Sequence, residues 1–169
     1  MADTEWWQRG PIAGVPDVLQ PVAHILLQVR ESVREMVVGL TEAEWNARPA
    51  GVASAAFHVR HMAGVIDRLF SYARGEQLTD GQRAALARER EPAILIAEVP
   101  KVLADLEEQV DRAVAELRTL DPKTLGAWRG VGRAQLPSTV IGCLVHAAEH
   151  AMRHVGQLSV TVRVVKPAS

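Results

Sequence analysis

Apolar residues recur three and four positions apart along most of this chain, the spacing that gathers them onto one face of a helix. Ala23, Ile25, Leu26, Val29, Val33 and Val37 form such a stripe, so a first long helix is expected from about Pro21 to Leu40, with Pro21 tolerated in its first turn. "TEAEW" then reads as a capping box in which Thr41 caps and Glu44 reaches back, giving a short helix that carries Trp45. "RPAGVAS" breaks the chain before a second long helix, Ser54 to about Arg74. After Gly75, Thr79 or Asp80 caps a brief helix through Arg90. A third long helix is expected from about Pro92 to Leu120, kinked or restarted at Pro100. "DPKTLGAWRGVGRAQLP" reads as a long polar, glycine-rich loop, after which Ser138 caps a fourth helix to about Arg163.

No alternating run flanked by turn pairs stands out, so the expected class is all-α. Four long amphipathic helices that must each bury a stripe make a four-helix bundle with short accessory helices. The 169 residues suffice for one such domain, 1–169, with residues 1–15 as an N-terminal tail. Trp6 and Trp7 fall in that tail, as part of a flexible end or as groups packing on a partner subunit.

Net charge is −1 with basic and acidic residues interspersed, which gives no basic footprint for nucleic acid or a membrane surface. The single cysteine, Cys143, falls on an apolar face, which excludes a disulfide framework and suggests a reducing compartment. With no secretory pattern at the start and no long apolar run, a cytoplasmic protein is the expectation.

The chemistry lies in the histidines. Five of the six fall in two stretches, "FHVRHMAG" (His58, His61) and "LVHAAEHAMRHVGQL" (His146, His150, His154), at spacings of three and four that make two rows of imidazoles on two helices. In the later stretch Cys143, Leu144, Ala147, Ala151, Val155 and Leu158 form the buried sector and Glu149, Arg153 and Gly156 lie opposite. His150 and His154 flank that sector, and His146 lies further round beside the polar face. In the earlier stretch Val59, Met62, Val65, Ile66 and Leu69 mark the apolar side, with His61 at its border and His58 inside it. An imidazole pair at i and i+4 can hold one ion from a single helix, and His61 would complete a triad with His150 and His154. Neutral imidazole suits zinc, nickel and iron, and three protein ligands leave a position for water or substrate. His58 and His146 are open between a hydrogen-bonding support to a ligand, an alternative ligand, and a general base. His24 reads as a hydrogen-bonded core residue, Glu149 and Arg153 as a surface ion pair. Asp67 reads as either a support to a ligand or a solvated partner of Arg68 or Arg74.

The segments "ASAAFHVRHMAGVIDRLFSYARGEQLT" and "LPSTVIGCLVHAAEHAMRHVGQLSVTVRVV" closely resemble the DinB-like superfamily of metal-dependent enzymes, which includes YfiT-like hydrolases and several bacterial thiol transferases. The resemblance implies an up-down-down-up bundle, usually a homodimer, with a three-histidine divalent site. "RHMAG" matches its first ligand at His61, and "HAMRHVGQL" matches its HxxxH and Gly-Gln at His150 and His154. Where family members carry an acidic residue shortly after the first ligand, this chain has Gly64, and the nearest acid in sequence is Asp67.

The leading expectation is a metal-dependent S-transferase, in which a zinc or nickel ion, with iron or manganese as alternatives, activates a low-molecular-weight thiol toward a small-molecule substrate. A metal-dependent hydrolase is the second reading and needs a general base, for which His58 and His146 are the candidates. A non-catalytic metal-binding or stress-related dimer is the third, with a fourth protein ligand closing the site. Arg129 and Arg133, in the loop before the fourth helix, would hold an anionic group of a thiol cofactor or substrate beside Trp128. Read otherwise, they are loop-surface charges and Trp128 is a tether.

Overall fold

The computed structural model describes residues 4–89 and 93–166. Four long helices, α1 (Gln20–Met36), α3 (Ala55–Arg74), α5 (Val99–Leu117) and α6 (Val140–Val165), are joined by two short ones, α2 (Glu42–Asn46) and α4 (Asp80–Arg88). The class is all-α, as the periodicity requires, and its direction can be read from side-chain pairs. Arg30 meets Asp111 and Arg34 meets Glu107, so α1 and α5 run antiparallel. Arg74 meets Glu116 at the C-terminal ends of α3 and α5, which are therefore parallel. His58 meets His154 while His61 meets His150, so α3 and α6 are antiparallel. The sequence of directions is up, down, down, up, with α3 and α6 side by side.

Local chemistry sets the helix boundaries. Thr41 and Glu44 form the expected capping box, and Trp45 behind it is buried. Ser54 Oγ accepts from the Phe57 amide to open α3, and Gly75, at φ 83°, closes it in the left-handed region. α1 stops at Met36 rather than Leu40, and Gly39 turns the chain at φ 73°. α5 begins at Val99, not near Pro92, which lies outside the described residues. A proline at position 100 removes a helical N–H and crowds the carbonyl four residues back, so Pro100 fits only the first turn. Ile96–Glu98 form a 3-10 turn ahead of it.

One expectation fails outright. The glycine-rich segment before α6 is a β-hairpin, with β1 (Trp128–Val131) antiparallel to β2 (Leu136–Thr139) and Val131 opposite Leu136. Each strand is too short for alternation to register, and Pro137, which cannot donate to a ladder, argues against a strand by sequence. The cap of α6 also shifts by one residue. Thr139 Oγ1, not Ser138, accepts from the Gly142 amide.

Residues 4–15, expected to be a tail, lie against α1. The Trp6 amide donates to Gln28 Oε1, the Ile12 amide donates to Gln20 Oε1, and Val15 is buried. His24 is partly buried and bonds the Gly10 carbonyl from this same edge, at the border of the core rather than within it. Among the described residues no helix is long and apolar enough to cross a membrane.

Candidate metal centre

His61 on α3 and His150 and His154 on α6 converge where the two antiparallel helices touch, and one ring nitrogen from each lies within 4.8 Å of the others. All three are partly buried, at the border of the core as the helical wheel places them. His61 Nε2 and His150 Nε2 are 3.0 Å apart. For comparison, two nitrogens bound to one tetrahedral ion at ~2.0–2.1 Å would be roughly 3.3 Å apart.

Two of the three rings are held from behind. The His61 ring stacks on Phe57, with centroids 5.2 Å apart and planes within 10°, and its Nδ1 lies 2.8 Å from Glu89 Oε2. Glu89 is 5% exposed, and Arg68, itself 8% exposed, donates to its other oxygen at 2.5 Å. Burial alone would raise the Glu89 carboxyl, but the hydrogen bonds from His61 and Arg68 outweigh it and hold the group below the usual carboxylate range. An ionised Glu89 only accepts, so the proton of a neutral His61 sits on Nδ1 and the Nε2 lone pair faces His150 and His154. His154 Nδ1 is 2.9 Å from His58 Nδ1, which leaves His154 Nε2 for the cluster.

The donor set fits a divalent ion. Burial first, then the charge of His61, lowers His154 to about 4 and also lowers His150, so both imidazoles are neutral at neutral pH, the form that can bind a cation. His150 Nδ1 is buried with no hydrogen-bond partner among the described residues, so neither tautomer of this ring is fully satisfied by them. If His150 Nε2 carries the proton, a buried lone pair is orphaned. If Nδ1 carries it, two Nε2 lone pairs face each other at 3.0 Å, an arrangement a cation between them would relieve.

Of the other two histidines in these two stretches, His58 is 3% exposed, is lowered to about 4 by burial and then by His61, and stands behind His154. His146 is exposed, its side chain 51% accessible; its Nδ1 is 3.3 Å from Glu149 Oε2 and its ring meets His150 edge-on at 5.3 Å between centroids, so it borders the cluster from the outer face without joining the three convergent nitrogens. Glu149 also pairs with Arg153, the surface pair expected from their spacing. Asp67 accepts from Gln82 of α4 at 2.9 Å and pairs with neither arginine considered for it.

Arg129 and Arg133 are not brought to the histidines. Arg129 Nε donates to the Ala73 carbonyl at 2.6 Å, tying the hairpin to the last turn of α3, roughly 18 Å along the axis from His61. Arg133 is exposed in the turn between the strands. Trp128, exposed on the hairpin, does not wall the cluster.

Glu89 is the site residue that sequence reasoning missed. It lies 28 positions from His61, in a charged "RERE" run that resembles a solvated helix end. The available signal was the vacancy at Gly64. A Cβ there would lie 2.1 Å from Glu89 Oε1 and 2.6 Å from an Arg68 nitrogen. Helix propensity alone predicts that Gly64→Ala stabilises by about 0.8–1 kcal/mol. Displacing a buried, paired carboxylate costs more, roughly 2–3 kcal/mol, so the net expectation is destabilisation by about 1–2 kcal/mol. Urea denaturation checks the sign; a variant more stable than the parent would show that Glu89 moves aside freely.

A sequence model of the DinB superfamily matches residues 25–158, most of the chain and all three clustered histidines. The chain belongs to the DinB superfamily. No curated protein matches it significantly. DinB-superfamily membership and the three-histidine cluster together fit a metal-binding, enzyme-like protein. In this DinB chain, Gly64 stands three residues after His61, and a carboxylate from the end of α4 fills the space beside it and bonds His61.

Proposed function

We propose that this protein is a metal-dependent enzyme that transfers a low-molecular-weight thiol, or uses one, on a small-molecule substrate. A divalent ion, zinc or nickel first and iron or manganese with the same donors, would supply Lewis acidity that lowers the thiol pKa when bound. The observation that carries this reading is the pairing of three convergent imidazoles with the absence, among the described residues, of a free general base beside them. His58 Nδ1 is engaged by His154, His146 faces Glu149, and both Glu89 oxygens are occupied by His61 and Arg68.

That distribution weighs against the hydrolase reading, which asks a side chain to take a proton from water. Thiol activation asks less of the protein: three converging imidazoles and, among the described residues, no fourth protein ligand in their set. It also weighs against a closed structural site, since neither His58 nor His146 stands where a fourth ligand is needed.

Cobalt(II)-loaded protein titrated with low-molecular-weight thiols provides the test. A thiolate-to-metal absorption band that saturates with one thiol, and is lost in His150→Ala, is the expected result. A cobalt spectrum that no thiol perturbs would sink thiol activation and return the hydrolase to first place.

A further inference from the structure

Between Thr79 and Glu89 every residue is exposed or partly buried except Glu89 itself. α4 therefore contributes almost nothing to the apolar core and is held on α3 by polar contacts. Gln82 Nε2 donates to Asp67 Oδ2 and to Ser71 Oγ, at 2.9 and 2.7 Å, and Glu89 accepts from His61 and Arg68. A buried ion pair such as Glu89–Arg68 is a poor way to gain stability, because desolvating two charges consumes most of their attraction and an apolar pair of similar volume often serves as well. An apolar residue at position 89 could not accept the Nδ1 proton of His61. Gly64 points the same way: the absent Cβ is the space the carboxylate fills.

We propose that Glu89 is a positioning residue of the metal centre, carried in by α4 through the opening at Gly64. It fixes the Nδ1 tautomer and ring plane of His61, so that Nε2 presents its lone pair to the ion. The contact is reciprocal. Once its Nε2 is coordinated, the His61 ring becomes a stronger Nδ1–H donor, so metal occupancy and docking of α4 strengthen each other by the same factor. This inference rests on reading the three histidines as a metal site.

The test measures zinc affinity of the full-length chain by competition with a chromogenic chelator, and hydrogen exchange of the α4 amides with and without zinc. Glu89→Gln is expected to weaken zinc binding about 10- to 100-fold, the range for loss of a carboxylate behind a ligating histidine. Zinc should slow exchange in α4 of the parent and leave the variant's α4 unchanged. A residue that only supported the fold would lower the melting temperature of the metal-free protein while leaving the zinc-induced rise intact. Should Glu89→Gln fail to fold, the double change Glu89→Gln with Arg68→Gln removes both buried charges together and serves in its place. Zinc affinity within twofold of the parent in either folded variant overturns this proposal alone. A parent that binds no zinc overturns both it and the metal-site reading.

Discussion

Replacing His61, His150 or His154 singly by alanine is expected to abolish stoichiometric metal binding at micromolar protein. If binding at a few-ligand site is worth ~10–16 kcal/mol, as for structural zinc peptides, one of three protein ligands carries roughly 3–5 kcal/mol, or about 10²–10⁴ in Kd. The three variants should be nearly equivalent, because the three nitrogens belong to one cluster within 4.8 Å. His146→Ala is the internal control. Its ring faces Glu149 on the exposed side of α6, and metal content should stay at the parental value. Elemental analysis of untagged protein reads all four. An alanine at His146 that costs as much metal as one at His150 would mean that the i, i+4 set is wrongly assigned.

Acid should unfold the metal-free protein early. His58 and His154 both fall to about 4 in the folded chain, chiefly because burial disfavours the charged form, against an ordinary value of 6.5. A group whose folded pKa is depressed contributes stability that is complete above the unfolded pKa and is lost as pH falls through the folded one. The window therefore opens near pH 6.5 and is exhausted near pH 4. Each shift taken alone would correspond to at most ~3 kcal/mol, but the two rings share a hydrogen bond, titrate as a pair and are partly screened, so about 3 kcal/mol for both together is the expectation. Melting temperatures of metal-free protein between pH 7 and 4 should fall accordingly, and His58→Asn should flatten the slope. A pH-independent melting temperature across that window would show that the cluster accepts a proton without cost.

The bundle and its histidine cluster were legible in the sequence because both are carried by helical periodicity. A spacing of three or four puts residues on one face whatever lies elsewhere, so Leu144, Ala147 and Ala151 were assigned to the core and His150 and His154 to its border with no tertiary information. The same wheel put His146 toward solvent and His58 inward. What was not legible depends on contacts distant in sequence. Glu89 reaches His61 across a loop, and nothing in a charged helix end marks one carboxylate as buried. The hairpin eluded the pattern for a different reason. Four-residue strands with Gly130 and Pro137 carry a turn signature more strongly than a strand one, and their pairing places Arg129 on the backbone of α3 rather than at a ligand.

The antiparallel pairing of α3 with α6 leaves α1 and α5 on the far side, stitched by Arg30–Asp111 and Arg34–Glu107 and contributing no clustered histidine. Structure and chemistry are thereby divided between two halves of one small domain. Residues of α1 and α5 supply packing and ion pairs, whereas α3 and α6 carry an apolar stripe and, at its border, a fixed spacing of imidazoles. Redesign can exploit that asymmetry, recoding the α1–α5 half for thermal robustness while the histidine-bearing half is left untouched.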